Sequence, residues 1–309
     1  MGRSCEGRVA LVTGASRGGT GTVAAIRLAA EGAKVAITAR TREGLGNTAG
    51  AVKDAGGDVL VLQCDLADPH GGRDTLVTRT EAELGPVDIL VNNAATGGFR
   101  RFYNWSLADL DTAIQVNVYA PWTLMQGVLP GMRERGQGWI VNLTTFCAEL
   151  PPGPPSPTNQ PSTGRSVYGS SKAALNRLTL SVAAENAAEG VAVNALTPQS
   201  AIAAPDLKAQ GYLDDAFFEP LETMAEAVLL LARCDPALTG RIAYSLQLLY
   251  EARHPVFDVT GSWLIEGWQP HDLPAVIARQ AAALEGFGWT HPFEFHRPSS
   301  PDPLGAAGG

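Results

Sequence analysis

Thr13-Gly14-Ala15-Ser16-Arg17-Gly18-Gly19-Thr20-Gly21 decides the fold. The stretch follows a short β-branched run at residues 9–13. It precedes an amphipathic segment at 21–32, where Val23, Ile26 and Ala30 fall at i, i+3 and i+7, on one helical face. Glycines between a strand and a helix let the chain turn tightly. They also bring backbone N–H groups close to a pyrophosphate at the helix N-terminus. The strand before and the helix after are what lift a glycine loop above a plain turn.

Outward from that loop, buried-strand runs recur at residues 34–39, 59–63, 87–92, 139–144 and 191–196. Helical stretches lie between and after them at 69–84, 107–135, 167–190, 224–234 and 275–284. The alternation Ile242, Tyr244, Leu246, Leu248 reads as a closing strand. Strand–helix alternation predicts an α/β fold: a Rossmann-like, doubly wound parallel sheet of about seven strands, flanked by helices, in a single domain. Residues 1–250 carry that pattern. Residues 251–309 read as an extension, aromatic-rich (Trp263, Trp268, Phe287, Trp289) and then a Pro/Gly/Ala/Ser tail from 297. Residues 151–164 hold six prolines and read as a stiff, non-helical excursion.

Composition removes several function classes. The 309 residues are 45% hydrophobic and 17% charged, with a net charge of −8. An acidic chain with no Lys/Arg run argues against nucleic acid or an anionic membrane as partner. No apolar run is long enough to span a bilayer, and the one after Arg8 breaks at Thr13-Gly14, too short for a signal-peptide core. Cys5, Cys64, Cys147 and Cys234 are scattered with no C-x-x-C, which predicts reduced, buried thiols in a cytoplasmic protein. The five histidines have no metal-ligand spacing, so no metal is expected, and no G-x-S-x-G elbow appears.

Tyr168 and Lys172 stand at i and i+4, on one face of the helix predicted there. A neighbouring cation lowers a phenol's pKa, making Tyr168 a candidate proton donor or acceptor. Asn117 lies four residues before Pro121, which has no N–H to close the helical bond to the Asn117 carbonyl. That carbonyl is expected to be free for a water. Ala39 ends the second strand where an acidic residue would bind a ribose 2′-hydroxyl. Arg40 and Arg17 could instead hold a 2′-phosphate, which predicts NADP(H) over NAD(H).

Together these features resemble the short-chain dehydrogenase/reductase family, across residues 5 to 250. Its T-G-x-x-x-G-x-G loop is matched by Thr13, Gly14 and Gly18, with Thr20 at the last glycine position and Gly21 one residue later. The resemblance implies cofactor contacts from Gly14, Ser16, Arg17, Gly18, Gly19 and Arg40. It adds Asp65 and Leu66 near adenine, Asn92 and Ala94 from an N-N-A turn, Pro198 after the sixth strand, and the Tyr168–Lys172 pair. It implies Asn117, Thr145, Tyr168 and Lys172 as the catalytic set, Thr145 standing where the family has serine. Gln199 stands where the family tends to have glycine, and residues 203–220, with Tyr212, Phe217 and Phe218, fit a mobile substrate lid.

The implied activity is reversible hydride transfer between NADP(H) and a ketone or secondary alcohol, as ketoreductase or alcohol dehydrogenase. Phe99, Trp105, Phe146 and the 151–164 stretch suggest an apolar substrate. The implied assembly is a homodimer or homotetramer. The alternative is a catalytically silent NADP-binding sensor or scaffold, suggested by the departures at Thr20, Thr145 and Gln199.

Overall fold

In the computed structural model, which describes residues 3–98, 100–149, 165–209 and 215–286, seven parallel strands form one sheet. They are β1 (Val9–Thr13), β2 (Lys34–Ala39), β3 (Val59–Gln63), β4 (Ile89–Asn92), β5 (Gly138–Leu143), β6 (Val191–Thr197) and, later in the chain, β9 (Ile242–Tyr244). The spatial order is β3-β2-β1-β4-β5-β6-β9. Every residue of β1, β4, β5 and β6 is buried. Central strands covered on both faces have no solvent side, which is why they read as unbroken apolar runs. The order reverses between β1 and β4, and the crevice at the carboxyl ends of those strands is where an open α/β sheet binds ligands.

The flanking helices are α1 (Thr20–Ala30), α2 (Arg42–Asp54), α3 (Leu76–Leu84), α4 (Leu107–Ile114), α5 (Ala120–Arg135), α6 (Ser166–Asn186), α8 (Leu221–Leu231), α9 (Ser245–Glu251) and α10 (Leu273–Gly286). Between β6 and α8 lie a two-residue strand, β7 (Ala201–Ile202), a single turn, α7 (Pro205–Lys208), and β8 (Phe218–Glu219), which pairs in parallel with β7.

Three features differ from the sequence reading. α2 went unseen: Gly44, Gly46 and Gly50 dilute its helical signal. Gly44 is nonetheless required, because a Cβ there would collide with the Ser16 carbonyl. The segment expected as one helix at 107–135 is divided by a π-turn at Gln115–Tyr119, where the Ala120 N–H reaches back to the Gln115 carbonyl. The missing N–H of Pro121 accounts for the change of register. The closing strand stops at Tyr244, and Leu246 and Leu248 belong to α9. Gln247 between them is buried as well, so the alternation did not separate a polar face from an apolar one.

Beyond residue 250 the chain returns to the same core. Val256, Leu273, Val276 and Ile277 are buried against residues of α1, α8 and α9. A buried ionic cluster fastens this return. Glu226 of α8, fully buried, accepts from Arg27 Nε of α1 at 2.7 Å, and its other oxygen lies 2.6 Å from His254 Nε2. Arg27 also pairs with Glu31 at 2.8 Å. Burial opposes the Arg27 charge, but Glu226 and Glu31 outweigh it and raise its pKa. Residues 287–309, with Phe287 and Trp289 of the extension and its tail, lie outside the described residues. Among the described residues no helix is long and apolar enough to cross a membrane, and the four cysteines are free and buried.

Candidate active site

A cleft of about 560 Å³ opens at the carboxyl ends of β1, β2 and β4. The glycine loop forms its floor. Gly14 has φ +71°, and a Cβ there would stand 2.7 Å from the Ala94 Cα, so backbone conformation and space both demand glycine. Gly19 caps α1 with no side-chain partner, and Gly19, Thr20 and Gly21 line the cleft, so the N-terminus of the helix borders it. Gly21 makes the tight approach: a Cβ on it would lie 2.7 Å from the Gly14 carbonyl oxygen and against Asn93 Nδ2. The helix–loop contact therefore falls at Gly21, and Thr20 lines the cleft. Gly21→Ala is expected to cost about 1–3 kcal/mol through overpacking. Thr20→Gly is expected to leave cofactor affinity unchanged. Thermal melts and cofactor titrations of the two variants check this, and equal behaviour would contradict it.

The wall opposite the loop follows β4. Thr13 Oγ1 accepts from the backbone N–H groups of Asn93 and Ala94, each at 3.0 Å, and Asn93 Nδ2 donates to the Thr13 carbonyl at 2.8 Å. Asn93 lines the cleft with Ala94, Ala95, Thr96, Gly97 and Gly98. Asn92, expected to contact cofactor, sits behind that wall. Its amide donates to Asn142 Oδ1 at 2.8 Å, and Asn142 donates on to Thr179 at 2.9 Å, a buried tie between β4, β5 and α6. Asn92 ends β4 and Asn93 begins the turn after it, so the two point differently, and the sequence did not say which faced in.

Of the other expected cofactor residues, Ser16, Arg17, Arg40, Asp65, Leu66 and Tyr168 line the cleft, whereas Gly18, Lys172 and Pro198 do not. A Cβ on Gly18 would come 3.9 Å from Pro205, so the segment after β6 closes over the loop.

At the far end stands Tyr168, half-buried on the first turn of α6. Gly97 was missed in the sequence. Its φ of +155° and the 2.8 Å between its would-be Cβ and the Tyr168 ring let the β4 loop pass beside the phenol. Arg165 was missed as well. It lines the cleft one turn before Tyr168, and its Nη1 lies 3.1 Å from Cys147 Sγ.

Lys172 is buried, with Nζ 6.0 Å from the centre of the Tyr168 ring and donating to the Leu143 carbonyl at 2.6 Å. The electrostatics correct the expected lowering of the phenol. Burial pushes Tyr168 up to about 12, and Arg165, not Lys172, is the cation that opposes this. Burial pushes the Lys172 ammonium down to about 7.

Asn117 sits inside the π-turn and is fully buried. Its side chain holds the β4 loop, accepting from the Thr96 N–H at 2.9 Å and donating to the Thr96 carbonyl at 2.7 Å and to Ser171 Oγ at 2.9 Å. Thr145 follows β5, and its hydroxyl accepts from the Cys147 N–H at 3.2 Å. Trp105 lies against Gly98 with Arg100 stacked 4.1 Å over its ring, and Phe146 opens the turn after Thr145. Phe99, Tyr212 and the 151–164 stretch lie outside the described residues. Phe217 and Phe218, expected in a lid, are buried.

A glycine-floored cleft at the strand-order reversal, with a tyrosine–lysine helix at one end, is the arrangement that the sequence resemblance implied. Residues 8–205 match the short chain dehydrogenase family, and the chain belongs to that family. It is 34% identical over 192 residues to a ketoacyl reductase of Nostoc sp., covering 62% of this chain and 63% of the relative. It is 30% identical over 193 residues to the 7alpha-hydroxysteroid dehydrogenase of Escherichia coli, covering 62% of this chain and 71% of that protein. Among solved structures, a metagenomic short-chain oxidoreductase in complex with NADP superposes with a TM-score of 0.64 at 30% identity, covering 78% of this chain and 96% of that one. The matched region spans less than two thirds of the first curated relatives' own length.

Proposed function

We propose that the protein is an NADP(H)-dependent oxidoreductase that interconverts an apolar ketone and its secondary alcohol. The observation that carries this reading is the single cleft shared by the glycine loop, Arg17, Arg40 and Tyr168. The floor fits a dinucleotide: side chains are excluded at Gly14 and Gly21, and the N-terminus of α1, without a side-chain cap, borders the cleft. Bound there, the dinucleotide would supply the hydride acceptor or donor; the chain supplies orientation and the proton.

Tyr168 is the proposed proton donor. A phenol held near 12 stays protonated at neutral pH, the form that reduction needs. Thr145 is proposed to hydrogen-bond the same carbonyl oxygen. Lys172 and the Asn117 turn are proposed to return the proton, Lys172 being buried near neutrality and thus able to gain and lose one. Asn92 and Pro198, away from the cleft lining, act in this reading by holding the walls. Ketoreductase activity agrees with the ketoacyl reductase relative, and a bulky apolar substrate with Trp105, which lies against the cleft residue Gly98. A panel of aliphatic, aromatic and steroidal ketones tests the substrate class; turnover restricted to small charged carbonyls would overturn it.

The preference for NADP(H) rests on Ala39 and Arg40 at the end of β2, both in the cleft lining. A charge-assisted hydrogen bond to a 2′-phosphate is worth about 1.5–3 kcal/mol, so Arg40→Ala should weaken NADPH about 10- to 100-fold and leave NADH unaffected. Titrations with both cofactors check this, and equal affinities in the wild type would remove the preference. Residues 1–250 are proposed as the catalytic unit and 251–309 as an extension that braces α1 and α8. The subunit is proposed to work in the cytoplasm as a homodimer or homotetramer. Tyr119 and Trp122 leave apolar surface exposed beside α5, and solution mass tests the assembly.

A further inference from the structure

We infer that Glu219 is a positioning residue: its carboxylate latches the segment after β6 down on the glycine loop and so sets how tightly the cleft holds its dinucleotide. This rests on the dinucleotide reading of the cleft given above.

Glu219 lies on β8, is fully buried and is not among the residues that line the cleft. One carboxylate oxygen accepts from Ser245 Oγ at 2.7 Å and from Thr223 Oγ1 at 2.8 Å. The other accepts from the Ser200 backbone N–H at 3.2 Å. Ser245 Oγ in turn accepts from the Gln199 N–H at 3.0 Å, so the chain just beyond Pro198 is bound through the serine as well as directly. The Glu219 carbonyl accepts from the Ala203 N–H at 2.9 Å, and Ile202 stands opposite Glu219 in the β7–β8 pair. One residue thus gathers residues 199 to 203, the start of α8 and the start of α9.

The next residues reach the cleft. Ala204 lines it, with its Cβ 3.9 Å from the position of a Cβ on Gly19, and Pro205 stands equally close to Gly18. The 199–203 stretch is therefore the stalk on which the cover over the diphosphate position is mounted. Burial raises the Glu219 carboxyl to about 7, and the converging donors hold it down from higher still. A buried acid surrounded by donors is costly to replace, because each donor left without an acceptor pays its desolvation. Gln199, where the family tends to have glycine, has its N–H fixed by the same system, so the departure coincides with a tied-down stalk.

Glu219→Gln keeps the shape but puts an amide N–H₂ against one set of donors. Ser245→Ala removes one donor and the Gln199 acceptor while sparing the carboxylate. Each is measured in the full chain by NADPH titration, by steady-state kinetics at saturating NADPH, and by the rate of tryptic cleavage after Lys208 in the cover. The latch predicts, for Glu219→Gln, NADPH affinity weaker by about tenfold or more. It also predicts kcat little changed at saturation and faster cleavage at Lys208 that NADPH suppresses only at higher concentration. Ser245→Ala follows in the same direction with a smaller change. Unchanged affinity and unchanged cleavage in either folded variant would overturn the proposal. Should Glu219→Gln not fold, Ser245→Ala alone decides by the same readouts. If the wild type itself binds no NADPH, the dinucleotide reading fails, and the cleavage rates still report whether Glu219 holds the cover.

Discussion

Tyr168→Phe is expected to lower turnover by about 10²- to 10⁴-fold, the contribution of a positioned general acid. NADPH affinity should be nearly unchanged. The ring sits beside Gly97 at the end of the cleft, and removing one oxygen leaves that packing intact while deleting the proposed proton source. The environment sharpens the expectation. Burial raises the phenol to about 12, which keeps the proposed donor in its protonated form at neutral pH. Arg165 is the cation that opposes this rise, while Lys172, 6.0 Å from the ring centre, is turned onto the Leu143 carbonyl. Tyr168→Phe is read by kcat with a responsive ketone and by NADPH titration in parallel. Retained turnover would remove Tyr168 from the chemistry. Lost NADPH binding would assign it to the cofactor instead.

Glu226→Ala is expected to be the most destabilising single change outside the cleft. Removing one member of a buried ion pair costs about 3–5 kcal/mol, because the partner keeps its charge and loses its compensation. Arg27 would retain Glu31, which places the cost toward the lower end of that range. His254 would lose its 2.6 Å partner, loosening the chain beyond α9. A fall in Tm on the order of 10 °C is expected, read by thermal melts. A shift of a degree or two would mean that apolar packing by Val256, Leu273 and Val276 holds the return strongly enough alone.

The parallel sheet was readable in the sequence because buried central strands leave an unbroken apolar signature, and because the glycine loop fixed where the first crossover begins. What escaped was decided by tertiary contact. α2 carries three glycines that look like helix breakers, of which Gly44 alone is explained by contact, against Ser16. Ser245 to Leu249 of α9 are buried without a break, so spacing could not tell it from a strand. At the site, residue types were legible and directions were not. Asn92 and Asn93 are neighbours in sequence, yet one ties the sheet and the other lines the cleft. The Tyr168–Lys172 spacing put both on one helical face. It said nothing of the burial that raises one pKa and lowers the other. Gly97, Arg165 and Glu219 carry no motif at all. Their roles come from a loop passing a ring, a guanidinium at a helix start and a carboxylate among donors.

If the cleft brings a reduced nicotinamide and a carbonyl into register at Tyr168, as proposed, hydride passes directly from one to the other. The most direct measurement is isotope transfer: NADPH carrying deuterium at nicotinamide C4 is incubated with the protein and a bulky ketone, and the alcohol is analysed by mass spectrometry. Deuterium is expected on the carbinol carbon, from one face of the nicotinamide, and is expected to be lost with Tyr168→Phe. Bound NADPH with no deuterium in any alcohol, across a broad ketone panel, would contradict the proposal.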